Sequence, residues 1–354
     1  MKRRTSIGSV AGILTLLASV TCGTAARAQT VNVCATIPDF GSLVQEIGGN
    51  QVSLTVFAKP TEDPHFLDAR PSFVKAVSQA DLLVHGGMQL ESGWLPAVLQ
   101  GARNANILAG GRGNVDCSTV IQPLEVPQGR VDRSMGDVHP GGNPHYWTDP
   151  LSGLKIAALI RDKLSEVRPD QKTHFEDRYD AFAKRLGSKM IGDELVQQYG
   201  VENIPKLALL FQHGKLEGFL KEQKHDKLLG GWFGQLLPHL GAKIVDDHNM
   251  WPYFARTFGL KVVAHMEPKP GIAPTTQHLA SVVEMMKREK VRVILASAYY
   301  DPRHARFVAT QTGARVVSAA NLAGARPGTE DYLAAVDHNV RELVKAFQAG
   351  QAAP

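Results

Sequence analysis

The sequence predicts an α/β protein of two lobes, each a mainly parallel sheet with flanking helices, joined by one long helix. Three observations carry that prediction. Short apolar runs alternate with helical patterns between Val31 and Ser118, which suits a parallel sheet with right-handed crossovers. The same alternation returns between Lys243 and Gln348. Between the two lies a long, charged, helix-rich stretch.

In the first lobe, Val31–Thr36 reads as a strand and Pro38–Ile47 as a helix closed by Gly48-Gly49. Val52–Ala58 is a strand, and Pro71–Gln79 a helix opened by Pro and Ser. Leu82–His85 is a short buried strand, Ser92–Gly101 a helix, and Asn106–Leu108 and Val115–Ser118 are strands. A loop rich in Gly and Pro runs from Gln122 to Pro144, and Asp149-Pro150 then opens a helix reaching Val167. From Asp170 to Lys189 the pattern is a charged helix with one apolar stripe of Phe175, Tyr179 and Phe182, suited to bridging two lobes. Residues 190–240 read as helical, with breaks at Gly200, Pro205 and Gly230-Gly231. The second lobe alternates strands Lys243–Asp246, Leu260–His265, Val291–Ala296 and Arg315–Ser318 with helices Trp251–Phe258, Thr276–Lys290, Arg303–Thr312 and Asp331–Gln348. The expected organisation is a signal peptide over 1–28, a first lobe over 29–168, a linking helix over 169–200 and a second lobe over 201–354.

The formal charge of +5 and pI near 9.0 invite a nucleic-acid reading. The first 28 residues carry Lys2, Arg3, Arg4 and Arg27 and no acid, so their removal leaves 35 of the 39 basic residues against 34 acids, a net of +1. No stripe of basic and aromatic residues suggests nucleic acid. Lys2-Arg3-Arg4, the apolar run Ile7–Val20 and Ala26-Arg27-Ala28 make a secretory signal peptide cleaved after Ala28, so the chain is expected in the periplasm. Ser19-Val20-Thr21 is a poor context for lipidation at Cys22. Cleavage leaves Cys34 and Cys117; export permits a disulfide, but their strands need not be neighbours, and the pairing stays open.

In open α/β sheets, ligands bind outside the carboxyl ends of the strands. His65 follows the second strand, His248 follows Lys243–Asp246, and Asp301 follows Val291–Ala296. His139 and His145 lie in the segment between the lobes. Imidazoles with a carboxylate suit zinc first and other late first-row metals next. Each residue also has a plain alternative: Asp301, before Pro302, suits a helix cap, and His85 suits the core. His174, His213, His225, His239, His278, His304 and His338 fall on or beside helical stretches and read as surface. No G-x-S-x-G, P-loop, dinucleotide fingerprint or H-E-x-x-H is present.

Taken in order, these residues resemble the metal-binding proteins of bacterial ABC importers for zinc and manganese, the ZnuA/TroA type. The resemblance rests on Asp63-Pro64-His65 with Arg70-Pro71-Ser72, on Asn143-Pro144-His145-Tyr146-Trp147-Thr148-Asp149-Pro150, on Asp247-His248 with Trp251-Pro252-Tyr253-Phe254-Ala255, and on Glu267-Pro268-Lys269-Pro270-Gly271. Asn143 stands where the family pattern has Asp. The resemblance implies two lobes with a metal held between them by His65, His145 and His248. Many members place an Asp ligand after the last strand, where Ser318-Ala319-Ala320-Asn321-Leu322 has no acid. Asp301 is the nearest replacement; His139 or water are the alternatives. The implied function is a periplasmic, non-catalytic receptor, expected to be a monomer. It captures Zn²⁺, or Mn²⁺, and hands it to a cognate permease and its ATPase. A zinc-dependent hydrolase and a metal-buffering chaperone or adhesin on the same scaffold are the rivals.

Overall fold

Two parallel four-stranded sheets with the same strand order organise the chain. The computed structural model describes residues 30–132, 135, 136 and 138–351. The expected signal peptide, its cleavage after Ala28, and Cys22 lie outside them. The first sheet contains β1 (Val31–Ala35), β2 (Val52–Val56), β3 (Leu82–His85) and β4 (Asn114–Asp116), in the order β2-β1-β3-β4. Its helices are α1 (Pro38–Gly48), α2 (Pro71–Ser78) and α3 (Leu95–Ala102). Then come α4 (Pro150–Val167), α5 (Lys172–Ile191), α6 (Asp193–Tyr199), α7 (Ile204–Gln212), α8 (Leu216–Glu222) and α9 (Gly231–Leu236). The second sheet holds β5 (Lys243–Asp246), β6 (Lys261–His265), β7 (Val293–Ala296) and β8 (Arg315–Ser318), ordered β6-β5-β7-β8. Between and after these strands lie α10 (Pro252–Thr257), α11 (Thr276–Glu289), α12 (Pro302–Thr312) and α13 (Tyr332–Gln351). In each sheet the crossover direction reverses beside the first strand, and that is where a crevice opens at the carboxyl edge.

The 20-residue helix α5 packs on α1 and α4 at one end and on α6 and α9 at the other, so it runs from one lobe to the other over about 30 Å. Phe175, Phe182, Leu186 and Met190 form its buried stripe, and Tyr179 carries the Arg161 guanidinium 4.4 Å from its ring centre. Direct bonds also join the lobes. Trp147 Nε1 donates to the Asn321 carbonyl at 2.8 Å, and the Ala323 amide donates to Asp39 at 3.1 Å. Tyr332 Oη reaches the carbonyls of Trp147 and Asp149 at 2.9 and 2.8 Å. Gly153 is required beside it, because a Cβ there would collide with the Tyr332 ring.

Two predicted elements differ. Asn106–Leu108 is a 3-10 turn, Ala105–Ile107, because the Asn104 side chain accepts from the Asn106 amide and closes the turn. The strand at Val115 stops at Asp116, whose carboxylate accepts from the Ser118 amide and hydroxyl and bends the chain. His239, read as surface, is buried and stacks on Phe347 at 4.9 Å. Cys34 and Cys117 are both free and buried. β3 lies between β1, which holds Cys34, and β4, which Cys117 follows. Burial pushes the Cys34 thiol up to about 12.

Candidate metal centre between the lobes

His65 sits in a 3-10 turn, Pro64–Phe66, in the loop after β2. Pro64 fixes the turn's entry. The same Asp63 oxygen accepts from the His65 amide at 3.0 Å and lies 2.7 Å from its Nδ1. The segment around His145 repeats the device: Asn143 Oδ1 accepts from the His145 amide and meets its Nδ1, each at 3.0 Å. The Asn143 amide group donates to Glu125 at 3.0 Å and to the Asn249 carbonyl at 2.8 Å, so two acceptors settle which end of the amide faces His145.

His248 is built differently. It follows β5 directly, after Asp247, whose carboxylate accepts from the His248 amide at 3.0 Å and is anchored by the Ser297 amide at 2.6 Å. Its Nδ1 is met at 2.7 Å by Glu267, which arrives after β6 and also accepts from the Gly271 amide at 2.9 Å. In all three cases an oxygen takes Nδ1, which leaves Nε2 as the nitrogen with a lone pair to offer. The Nε2 of His145 is buried and makes no hydrogen bond among the described residues.

The structure brings these rings together. Ring centres are 5.2 Å apart for His65 and His145, 4.9 Å for His145 and His248, and 6.2 Å for His65 and His248. A fourth imidazole joins them: His139 lies 5.3 Å from His65. All four are buried. A cavity of about 90 Å³ reaches His139, His145 and His248, with Glu125, Asn143 and Asn249 along its wall. Trp147 stands edge-on to His145 at 5.2 Å, and Tyr300 stacks on His248 at 5.6 Å. The rings are neighbours rather than a closed shell: as they stand, no three or more His, Cys, Asp or Glu side chains among the described residues form a group that could hold a metal ion.

Burial and neighbouring groups shift the ionisation of several of these side chains. Burial first, then the neighbouring His248, His65 and His139, push His145 well below the usual imidazole range, so it stays uncharged. Burial raises Asp63, but its hydrogen bond and charge interaction with His65 outweigh that and leave it below the usual carboxylate range. Burial and then the adjacent Asp246 raise Asp247 to about 7.

Asp301 is not among the imidazoles. Its carboxylate caps α12, accepting from the Arg303 amide at 2.9 Å, and chelates the Arg303 guanidinium at 2.5–3.1 Å. Those bonds hold it down to about 2. It lines a separate cavity of about 290 Å³ with Asp63, Phe66, Asp247 and Glu267. Asp301, the candidate fourth ligand, is thus engaged by a guanidinium and a first-turn amide. His139, the alternative, is the one placed beside His65. Sequence reasoning also missed Glu267 as the partner of His248. Its only signal was positional: Glu267 follows β6 just as His248 follows β5, and the two meet only because those strands pair.

The family model described as ZnuA, zinc-uptake complex component A periplasmic, matches residues 33–215 and 232–346. A manganese-binding lipoprotein, MntA, of Halalkalibacterium halodurans is 21% identical over 330 residues, 92% of this chain and 91% of that protein. The manganese ABC transporter substrate-binding lipoprotein PsaA of Streptococcus mitis is 21% identical over 84% of each chain. Among solved structures, a crystal structure of ZnuA superposes with a TM-score of 0.64 at 20% identity, covering 90% of this chain and 99% of that one. The laminin-binding adhesin Lmb from Streptococcus agalactiae, in a mutant structure, gives 0.62 at 20% identity over 89% and 99%. Both likenesses support the two-lobed fold.

Proposed function

The chain belongs to the family of zinc-uptake complex component A, periplasmic, and on that premise we propose that it is the exported metal-binding component of a metal ABC importer, with Zn²⁺ as its cargo. It takes the ion into the interlobe cleft through His65, His139, His145 and His248 and passes it to a permease driven by an ATPase. The observation that supports this most is the ring spacing. With zinc–nitrogen bonds of about 2.0–2.1 Å, imidazole centres lie about 3.2 Å from the ion and roughly 5 Å apart around a tetrahedron. The observed separations of 4.9–6.2 Å bracket that value.

Relatives such as MntA and PsaA carry manganese in their names. The donors here favour zinc: Mn²⁺ prefers carboxylate and water, whereas imidazole suits zinc. The nearby carboxylates of Asp63 and Glu267 are spent on Nδ1 atoms, and Asp301 on Arg303. The same fact weakens the hydrolase reading, which needs a carboxylate free to activate a metal-bound water. Among the described residues no helix is long and apolar enough to cross a membrane.

Calorimetric titration of the metal-stripped chain from Gln29 with Zn²⁺, then Mn²⁺, tests the reading. We expect one tight zinc site with manganese at least tenfold weaker, and H65A or H248A should weaken zinc by roughly 100-fold or more. No tight site for either metal, or unchanged affinity in both variants, would sink it.

A further inference from the structure

Among the bonds at the junction of the two lobes, one exposed carboxylate makes two. Glu125 belongs to the loop that precedes the ligand segment of His145. One of its oxygens, Oε2, accepts from Asn143 Nδ2 at 3.0 Å and from Asn249 Nδ2 at 2.7 Å. Asn143 holds His145 by its Nδ1, and Asn249 is the residue after His248. One oxygen therefore ties the segment carrying one imidazole to the segment carrying the other, across the cleft. Glu125 adopts a left-handed backbone, φ 55°, which a residue with a Cβ avoids unless its surroundings demand it. The loop around it is pinned to the second lobe as well: Tyr253 Oη accepts from the Leu124 amide at 2.9 Å and donates to the Asn143 carbonyl at 2.8 Å.

The same bonds account for Asn rather than Asp at 143. Its Nδ2 faces two acceptors, the Glu125 carboxylate and the Asn249 carbonyl. A carboxylate in that place would set negative charge against both. Asn143 and Glu125 are thus matched to each other, amide to acid.

We infer that Glu125 is a latch across the cleft, a positioning residue that holds the His145 and His248 segments together and limits the rate at which metal leaves. Its consequence for metal rests on the zinc-binding reading; the latch itself belongs to the metal-free protein. Both bonds end on one oxygen of a solvent-exposed residue, so they are strengthened by charge yet broken at small expense, as a reversible gate requires. A docking partner that offers its own donor to Glu125 would open both at once.

The test uses the mature chain in five forms: wild type, E125A, E125Q, N143D and the double variant E125Q/N143D. Hydrogen–deuterium exchange is followed in the metal-free proteins over residues 122–126 and 247–250. Zinc release to an excess of chelator is timed by stopped flow in the loaded ones. E125A should speed exchange in both segments by about fivefold or more and release by roughly tenfold. N143D should be at least as fast, since it sets two carboxylates against each other. Adding E125Q to N143D should recover only part of the loss, leaving the double variant faster than wild type but slower than N143D. The amide introduced at 125 can donate to the carboxylate introduced at 143, while the bond to Asn249 is lost and the Asn249 carbonyl still faces the new carboxylate. A purely structural role predicts additive damage instead of rescue.

Exchange or release in E125A within about twofold of wild type overturns the latch. Should E125A fail to fold, the swap decides, and a double variant no better than N143D overturns it. A wild-type chain that takes up no zinc ends the transport reading on its own, and exchange in the metal-free proteins still decides whether the latch exists.

Discussion

The two lobes share one strand order but hold their histidines in opposite ways. In the first lobe each ring is fixed by a neighbour two positions back: Asp63 for His65 and Asn143 for His145, with Pro between. In the second, His248 is fixed by Glu267, nineteen residues on and after a different strand. A local Asx-Pro-His turn sets its ring as soon as the turn forms. The His248 ring is set only when β5 and β6 are paired, in a register that brings Asp246 beside His265. The first lobe orients its rings by local turns, and the second orients His248 through its strand pairing.

The strongest challenge to this contrast is to break the contact that lets the two kinds of site face each other. Trp147 is fully buried and donates across the lobes to Asn321. W147A should destabilise the chain by about 3–5 kcal/mol, measured by urea unfolding; a loss below about 1 kcal/mol would mean the lobes are held mainly by α5. Next comes the asymmetry itself. Truncating Glu267 with E267A leaves His248 without a local substitute, so zinc affinity should fall 10- to 100-fold. D63N should fall by less than about tenfold, because Asn already does this task at 143. Competition against a zinc dye measures both, and equal losses would erase the distinction between local and distant support.

The smallest effect concerns Asp39, which accepts from the Ala323 amide of the other lobe. Burial raises its carboxyl to about 7, against bonds from the Ala323 and Asp39 amides that lower it. The folded chain therefore binds this proton where the unfolded chain has lost it. The contribution to stability is complete below about pH 4 and disappears as pH rises through about 7. D39N keeps an acceptor for Ala323 but cannot ionise. Its melting temperature relative to wild type should gain a few degrees between about pH 5 and 8, and parallel curves over that range would refute the assignment.

This contrast also explains what was legible. The alternation of short strands and helices revealed both sheets, and the apolar stripe of Phe175, Tyr179 and Phe182 identified α5. The convergence of His65, His145 and His248 was legible because each stands at a strand end or crossover, in a motif readable within a few residues. Glu267 was passed over as a partner because its relation to His248 exists only through strand pairing. Asp301 was singled out by position alone; its bond to Arg303, two residues later, is one that spacing does not reveal. Asn106–Leu108 failed as a strand for the same kind of reason, a side-chain bond from Asn104 that competes with extended backbone.

The two free thiols carry a consequence for the chain before it folds. Cys34 and Cys117 end up on either side of β3, sealed and with their protons held. In the newly exported, unfolded chain both would have ordinary reactivity in a compartment that oxidises thiols. A bond between them would draw β1 and the end of β4 together and close the gap that β3 must fill. With β3 in place between them, the closed interior of the first sheet separates the two cysteines and shields both from solvent.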